Sequence, residues 1–246
     1  MYGMISSGGF ETRNCSFEKC IVQHAYNFSV ITSGSKPVLF ADSSFNCRSS
    51  NDGGAIQHCI QYPLSITGCL FFNCHTAKHG GAIFVLKTVA SELSTINNTI
   101  GMNCSADLHG GFVNSDYRKH FDMEKTNVTN CCAATNCGGI YLNRYPCDIT
   151  IQCCSFNSLK ESSCSSQLSS GCLLVGDGEN VVITDCSFDQ CNGYAAGGIN
   201  FAGDGSYGGD YSTIVMFCYF KGNFASSGGK DISFSGLWVG HAVSHC

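Results

Sequence analysis

The stretch Gly53-Gly54-Ala55-Ile56 recurs further along the chain as Gly80-Gly81-Ala82-Ile83. More glycine doublets follow, and they begin at Gly110, Gly138, Gly197 and Gly228. Successive doublets are nearly evenly spaced, except for one interval of about twice the usual length that a degenerate Ser170-Gly171 divides. Repetition at one period of about 20–50 residues is the signature of a repeat architecture. With a further degenerate copy at Tyr26-Asn27, the sequence predicts eight copies of a unit of about 29 residues.

A second motif, Cys-x-Phe-x-x-Cys, keeps a fixed distance from the doublets. It occurs at residues 15–20, 69–74 and 186–191. A cysteine precedes a doublet by six residues in four copies, at Cys47, Cys74, Cys104 and Cys191. Two motifs in one register argue against chance repetition, so we expect the units to share one local structure.

Each unit also contains short stretches in which β-branched residues alternate with others, as at residues 64–67, 148–151, 181–184 and 213–216. Alternation with period two predicts strands, and none of these stretches reaches the roughly 10–12 residues of a helix. Units that hold two or three such strands, with Gly, Asn or Ser at the corners, predict the coils of a solenoid. The fold we predict is all-β: a right-handed, single-stranded parallel β-helix of about eight coils, forming one domain over residues 1–246.

Three competing folds fit the repeat less well. Propeller blades need about 40–50 residues, and a sandwich would not repeat its sequence. A leucine-rich repeat has a similar period, but it needs a leucine ladder that 12 Leu cannot supply.

The composition excludes several classes of protein. Charged residues make up 13% of the chain and hydrophobic residues 43%, which excludes disorder driven by high charge and low hydrophobicity. The sequence has no apolar run of the roughly 20 residues that cross a membrane as a helix. The net charge of −5 and the pI of about 5.8 argue against nucleic acid as a partner, since nucleic-acid binders usually carry a basic face.

The GGAI tetrads, together with Phe-x-x-Asn blocks, resemble the chlamydial polymorphic outer membrane proteins (Pmp), whose passenger regions repeat both motifs. Phe220-Lys221-Gly222-Asn223 matches the second motif directly, whereas other copies place Cys at the Asn position, as in Phe17 to Cys20. That Cys-rich version looks like the large β-helical surface proteins of trichomonad parasites. The resemblance implies a pectin-lyase-like solenoid and a non-enzymatic, surface-displayed or secreted scaffold, with adhesion or host interaction as its function.

The resemblance also implies an extracellular or cell-surface location, with host-cell or extracellular ligands as partners. Residues 1–10 show no secretory signal, and the repeat begins almost at once, so we expect the chain to be a piece of a longer protein. Glycosylation sequons lean toward secretion; they lie at Asn14, Asn27, Asn97, Asn103 and Asn127. The oligomeric state and the face that binds a ligand stay open.

The 19 cysteines admit two interpretations, and because 19 is odd at least one thiol is unpaired within the monomer. In an oxidising compartment some would form disulfides, either within a motif or between neighbouring coils about 4.8 Å apart. The interpretation we favour is a ladder of free thiols that act as small apolar core residues. Either way, neighbours on a strand face opposite sides, so one cysteine each of Cys131-Cys132 and Cys153-Cys154 should lie near the surface. A structural zinc site is disfavoured, because strand geometry spreads thiolates along a wall.

We assign no catalytic, cofactor-binding or metal-binding residue from the sequence. The main alternative function is a carbohydrate-active β-helix enzyme, a polysaccharide lyase or hydrolase, which requires carboxylates clustered on one external face. The acidic residues are sparse, and no two are adjacent.

Four local features complete the set of expectations. His79 and His109 each precede a doublet and should stack at equivalent corners; we favour solvent-exposed turn histidines there over a metal pair. Residues 203–210, rich in Gly and Asp, suggest an exposed loop rather than a calcium site. Residues 117–127 and 160–170 are predicted to protrude as loops.

Overall fold

Parallel strands account for all the regular structure in this computed structural model. The described residues are 5–6, 10–20, 30–32, 38–58, 63–86, 94–116, 120–142, 147–161, 170–176, 178–203, 212–234 and 241–246. Within them every regular element is a strand, and neighbouring strands stack in parallel as a β-solenoid. The all-β, parallel β-helix prediction is therefore confirmed, while its right-handed sense and its number of coils stay predictions.

The strands are short, mostly of two to six residues. In chain order they are β1 (Ile5–Ser6), β2 (Phe10–Arg13), β3 (Ser16–Cys20), β4 (Val30–Thr32), β5 (Val38–Ala41), β6 (Ser44–Ser49), β7 (Ile56–His58), β8 (Leu64–Thr67), β9 (Leu70–Phe72), β10 (His75–Thr76), β11 (Ile83–Leu86), β12 (Ser94–Asn97), β13 (Ile100–Met102), β14 (Ser105–Ala106), β15 (Val113–Asp116), β16 (His120–Glu124), β17 (Asn127–Thr129), β18 (Cys132–Ala133), β19 (Ile140–Leu142), β20 (Cys147–Gln152), β21 (Ser155–Asn157), β22 (Lys160–Glu161), β23 (Leu173–Val175), β24 (Gly178–Thr184), β25 (Ser187–Asp189), β26 (Asn192–Gly193), β27 (Ile199–Phe201), β28 (Ser212–Met216), β29 (Tyr219–Lys221), β30 (Phe224–Ala225), β31 (Ile232–Phe234) and β32 (His241–Ser244).

These strands form three sheets that run the length of the stack. Sheet 1 is β1-β4-β7-β11-β15-β19-β23-β27-β31, and sheet 3 is β2-β5-β8-β12-β16-β20-β24-β28-β32. Sheet 2 has fourteen strands and divides at β6, which pairs with β9 through its first residues and with β10 through its last. Equivalent residues of successive coils thus lie in columns, such as Ile56, Ile83, Val113 and Ile140 in sheet 1.

Two corners of the coil are made by single residues in the left-handed region. At the corner from sheet 3 to sheet 2 all nine such residues have φ between +46° and +65°, and they are Asn14, Asp42, Gly68, Asn98, Lys125, Cys153, Asp185, Phe217 and His245. The second corner lies within sheet 2, between a strand on the β9 side of β6 and the next strand of the chain, on the β10 side. From β9 onward its residues are Asn73, Asn103, Asn130, Ser158, Gln190 and Gly222. Asn, Asp and Gly adopt this conformation at the least cost, which explains the excess of Asn and Gly at the corners.

The glycine doublets combine two physical requirements. The first glycine of each early doublet has φ near +70°, as at Gly53, Gly80 and Gly110. The second glycine needs no positive φ, but a Cβ on Gly81 would overlap the carbonyl oxygen of Gly111 in the next coil. The doublet at Gly138 lies one residue out of register, since Ile140 aligns with Val113, and Cys137 (φ +57°) takes the left-handed position.

The core is a tube of stacked apolar side chains. Phe45 and Phe71 stack at 4.7 Å between ring centroids, and Phe156, Phe188 and Phe220 form a second stack at 5.1 and 4.9 Å. Both stacks belong to one column, and between them the column continues through Gly101 and Val128. A Cβ on Gly101 would overlap the ring of Phe112, so Phe112 fills the space that Gly101 leaves.

One loop prediction needs correction, and a second needs correction only at its ends. Most of residues 117–127 is regular structure, because His120–Glu124 is a strand paired on both sides. Phe121 and Met123 continue the buried columns of sheet 3 while the polar residues between them point outward. Residues 117–119, 162–169 and 204–210 lie outside the described residues. At the ends of the second predicted loop, Lys160–Glu161 is a strand and Ser170 is fully buried.

Candidate functional site

A groove lies against the outer face of sheet 1, on the side away from the core. It has a volume of about 280 Å³ and is lined by His79, Phe84, Leu86, His109, Asn114, Asp116 and Tyr141. We call it the sheet-1 groove. Phe84, Asn114 and Tyr141 form one column of β11, β15 and β19, because residues that alternate with the core column project outward.

The histidines of the groove stack on each other and on a tyrosine. The ring centroids of His79 and His109 lie 4.7 Å apart, and those of His109 and Tyr141 4.9 Å. The predicted stacking of His79 and His109 is confirmed. The predicted exposure is wrong: both are only partly exposed, because the outer column of sheet 1 brings Phe84 and Tyr141 against them.

The tautomer of His109 follows from its partner. The Thr135 hydroxyl donates to the Leu108 carbonyl at 2.7 Å, so its oxygen accepts from His109 Nδ1 at 2.8 Å. A neutral His109 therefore carries its proton on Nδ1 and presents Nε2 as an acceptor.

Two buried polar atoms of the groove have no hydrogen-bond partner among the described residues: Asn114 Oδ1 and His79 Nδ1. Asn114 as a whole is 3% exposed. A buried polar atom without a partner costs free energy, so such atoms are rare in folded proteins. Sequence reasoning missed Asn114, which carries no motif of its own.

A polar ladder on the outer face of sheet 3 has the residue types of a catalytic triad but not its order. Ser212 donates to Asn180 at 3.0 Å, Asn180 donates to Asp148 at 2.8 Å, and His120 Nδ1 lies 3.2 Å from Asp148. The serine therefore bonds to an amide rather than to the imidazole that would activate it.

His75 lies beside a serine and a carboxylate on sheet 2. Its Nδ1 lies 2.9 Å from Ser105 Oγ, but its Nε2 lies 3.9 Å from Asp107, whose side chain is 59% exposed. A separation of 3.9 Å is too long for a hydrogen bond, so Asp107 does not hold the ring as a triad requires.

The cysteines form columns in which thiols replace other hydrogen-bonding side chains. At the sheet 3 to sheet 2 corner every side chain of one column donates to the carbonyl two residues earlier, at 2.8–3.5 Å; the column is Cys15, Ser43, Cys69, Thr99, Thr126, Cys154, Cys186, Cys218 and Cys246. Cys, Ser and Thr are thus interchangeable here, because each supplies one short donor.

The second column explains the Phe-x-x-Asn motif. The N–H of Cys104 donates to Cys131 Sγ at 3.4 Å, and the N–H of Cys191 donates to Asn223 Oδ1 at 2.9 Å. The Cys-for-Asn substitution seen in the sequence therefore keeps an acceptor at the same place.

The fifteen cysteines whose side chains are described carry free thiols, as the favoured interpretation predicts for them. The side chains of Cys20, Cys59, Cys147 and Cys164 lie outside the described part. In both adjacent pairs one cysteine is buried and the other more exposed, as predicted: Cys131 and Cys154 against Cys132 and Cys153.

We expect Cys186→Ser to retain about 1 kcal/mol more stability than Cys186→Ala, which is the typical net value of one hydrogen bond. The serine would donate to the Thr184 carbonyl, as Ser43 donates to that of Ala41. Urea unfolding followed by circular dichroism measures the difference. Cys246→Ala, at an exposed position, is the control. Equal stability of the two Cys186 variants would contradict the hydrogen-bonding role.

Native alkylation should separate the thiols by position. Burial raises the pKa of Cys104 well above its ordinary value, so the reactive thiolate is scarce there. The exposed Cys153 and Cys246 should react with iodoacetamide at mildly alkaline pH, and Cys104 only in urea. Peptide mass spectrometry reads the labels, and labelling of Cys104 in the native chain would contradict the expected protection.

Within the described part of the chain, no group of three or more His, Cys, Asp or Glu side chains is placed to hold a metal ion. No helix among the described residues is long and apolar enough to span a membrane. Comparison with known proteins finds no family model, no curated protein and no solved structure that matches the chain.

Proposed function

We propose that the chain is a non-enzymatic scaffold, displayed at a cell surface or secreted, that binds an extracellular ligand through the sheet-1 groove. The observation that carries the proposal is the groove itself, in which two buried polar atoms have no partner in the part of the chain that the structure describes. A β-solenoid holds such a groove rigidly, because each coil is hydrogen-bonded to both neighbours. The resemblance of the repeat to surface β-helical proteins points to adhesion or host interaction.

Three sequon asparagines support an extracellular location. Asn14, Asn103 and Asn127 are exposed and so accessible to a glycan, whereas Asn97 is partly buried. Asn27 lies outside the described residues.

The alternative is a carbohydrate-active enzyme. Glycoside hydrolysis needs two positioned carboxyl groups, and the described residues that line the groove contain one, Asp116. A lyase is favoured by one observation: His109 and Tyr141, two side-chain types that act in general acid–base catalysis, stack together in the groove.

Surface location is tested on intact cells of the natural source. Antibodies against the chain should stain unpermeabilised cells or detect it in the medium, and external protease should remove the cell-bound signal. A signal seen only after permeabilisation would overturn the display proposal.

Enzymatic activity is tested with the purified chain and a panel of uronate polymers. We expect no unsaturated product by ultraviolet absorbance and no new reducing ends. Product formation that His109→Ala abolishes would overturn the non-enzymatic proposal in favour of the lyase.

A further inference from the structure

We propose that the sheet-1 groove binds a neutral, hydroxyl-rich ring, the chemistry of a single sugar residue. This inference rests on the proposed function, because it names the ligand class of the same groove. It is carried by the unpartnered polar atoms, by the walls of the groove and by its size.

The unpartnered atoms set the polar requirement. Asn114 Oδ1 accepts hydrogen bonds, whereas His79 Nδ1 donates or accepts according to its tautomer. A hydroxyl group both donates and accepts, so vicinal hydroxyls satisfy the two atoms in either tautomer. Forming these bonds recovers the free energy that burial without a partner costs.

The hydrogen-bonding needs of the groove favour a hydroxyl over an ammonium group. An ammonium could pair with Asp116, the one carboxylate among the described lining residues, which already takes part in another interaction. An ammonium donates hydrogen bonds but accepts none, so it lacks an acceptor for His79 when that ring is protonated on Nδ1. A hydroxyl group satisfies both unpartnered atoms in either tautomer.

The apolar lining fits the C–H face of a sugar ring. Phe84 and Leu86 supply an aromatic and an aliphatic wall, and Leu86 is 37% exposed. His109 is stacked between His79 and Tyr141, so the edge of its ring, rather than a ring face, meets the ligand. The volume of about 280 Å³ lies just below the range of about 300–1,000 Å³ for drug-sized ligands, which fits one ring.

The test uses the purified chain and the methyl glycosides of glucose, galactose, mannose and N-acetylglucosamine, with n-butylamine as the ammonium probe. At least one glycoside should shift the NMR resonances of the His79 and His109 rings in a saturable manner. Absence of a shift with all four glycosides, or stronger binding of n-butylamine, overturns the proposal.

The variant Asn114→Leu separates binding from folding. Leu174 lies in the same column, so leucine fits the backbone there. Removing an unpartnered polar atom should leave the free energy of unfolding unchanged or raised, while glycoside affinity falls at least about tenfold, the equivalent of about 1.4 kcal/mol. Gln57→Leu, in the same column outside the groove, should leave the affinity unchanged. Unchanged affinity in Asn114→Leu overturns the proposal.

A glycan microarray distinguishes a free sugar from the terminal residue of a glycan as the source of this chemistry. Binding of both free glycosides and array glycans places a terminal sugar in the groove, whereas binding of array glycans alone overturns the single-ring proposal. Failure of sugar binding leaves surface display standing, and an intracellular location overturns display without touching the measured affinity, so the two failures are distinguishable.

Discussion

Gly81→Ala is expected to lower the free energy of unfolding by about 3 kcal/mol or more, the upper range for overpacking a tightly packed site. The added Cβ would overlap the carbonyl oxygen of Gly111 in the next coil and crowd the backbone of Ser105. Neither neighbour is a flexible side chain that could turn away, so the coils would have to separate and weaken their hydrogen bonds. Urea unfolding followed by circular dichroism measures the loss.

Gly222→Ala is the matched control for this steric effect. Gly222 has φ +62°, and the atom nearest to an added Cβ is Gln190 Cγ at 3.5 Å. Alanine there incurs only the left-handed backbone cost of about 1–2 kcal/mol. A loss at Gly81 no larger than the loss at Gly222 would contradict the close approach of the coils.

Phe112→Ala is expected to cost about 3–5 kcal/mol, as typical for a buried phenylalanine. The Phe112 ring is fully buried and lies edge-on to Phe71 at 5.8 Å between centroids. Its removal opens a cavity directly over Gly101, which has no side chain to fill it. Denaturant unfolding of the purified variant gives the value.

A second substitution should rescue this variant. In the double variant Gly101→Phe/Phe112→Ala the new ring continues the column of Phe45 and Phe71. The new alanine matches Ala82, which precedes the equivalent Ile83 in the coil below. We expect the double variant to recover most of the lost stability, whereas Gly101→Phe alone is overpacked and destabilised. Failure of the rescue would show that Phe112 does not compensate for Gly101.

The histidine pair illustrates what local sequence reasoning can and cannot provide. Because His79 and His109 precede doublets of the same register, their stacking was predictable from spacing alone. Their partial burial was not, since it depends on Phe84 and Tyr141 of the outer column of sheet 1. Asn114 could not be identified from the sequence either, because its importance comes from an amide oxygen that is buried without a partner among the described residues.

Strand β16 lies within a segment that was predicted to protrude as a loop. In it His120, Asp122 and Glu124 alternate with the buried Phe121 and Met123. The outer face of a solenoid wall meets solvent, so charges at every second position are compatible with a strand.

The repeat period, the alternating strands and the Asn and Gly corners were enough to establish a stack of parallel coils. Each of these signals acts within one coil, through backbone conformation and the pleat of a strand, so it is visible in a linear pattern. Three features depend on which residues of different coils meet. They are the offset doublet at Gly138, the filling by Phe112 of the space beside Gly101, and the groove at Asn114. Those contacts are set by the registration of strands that lie a full repeat apart in the sequence, where a shift of one residue changes every neighbour. Close packing between coils, rather than local propensity, therefore decides where the sheet-1 groove forms.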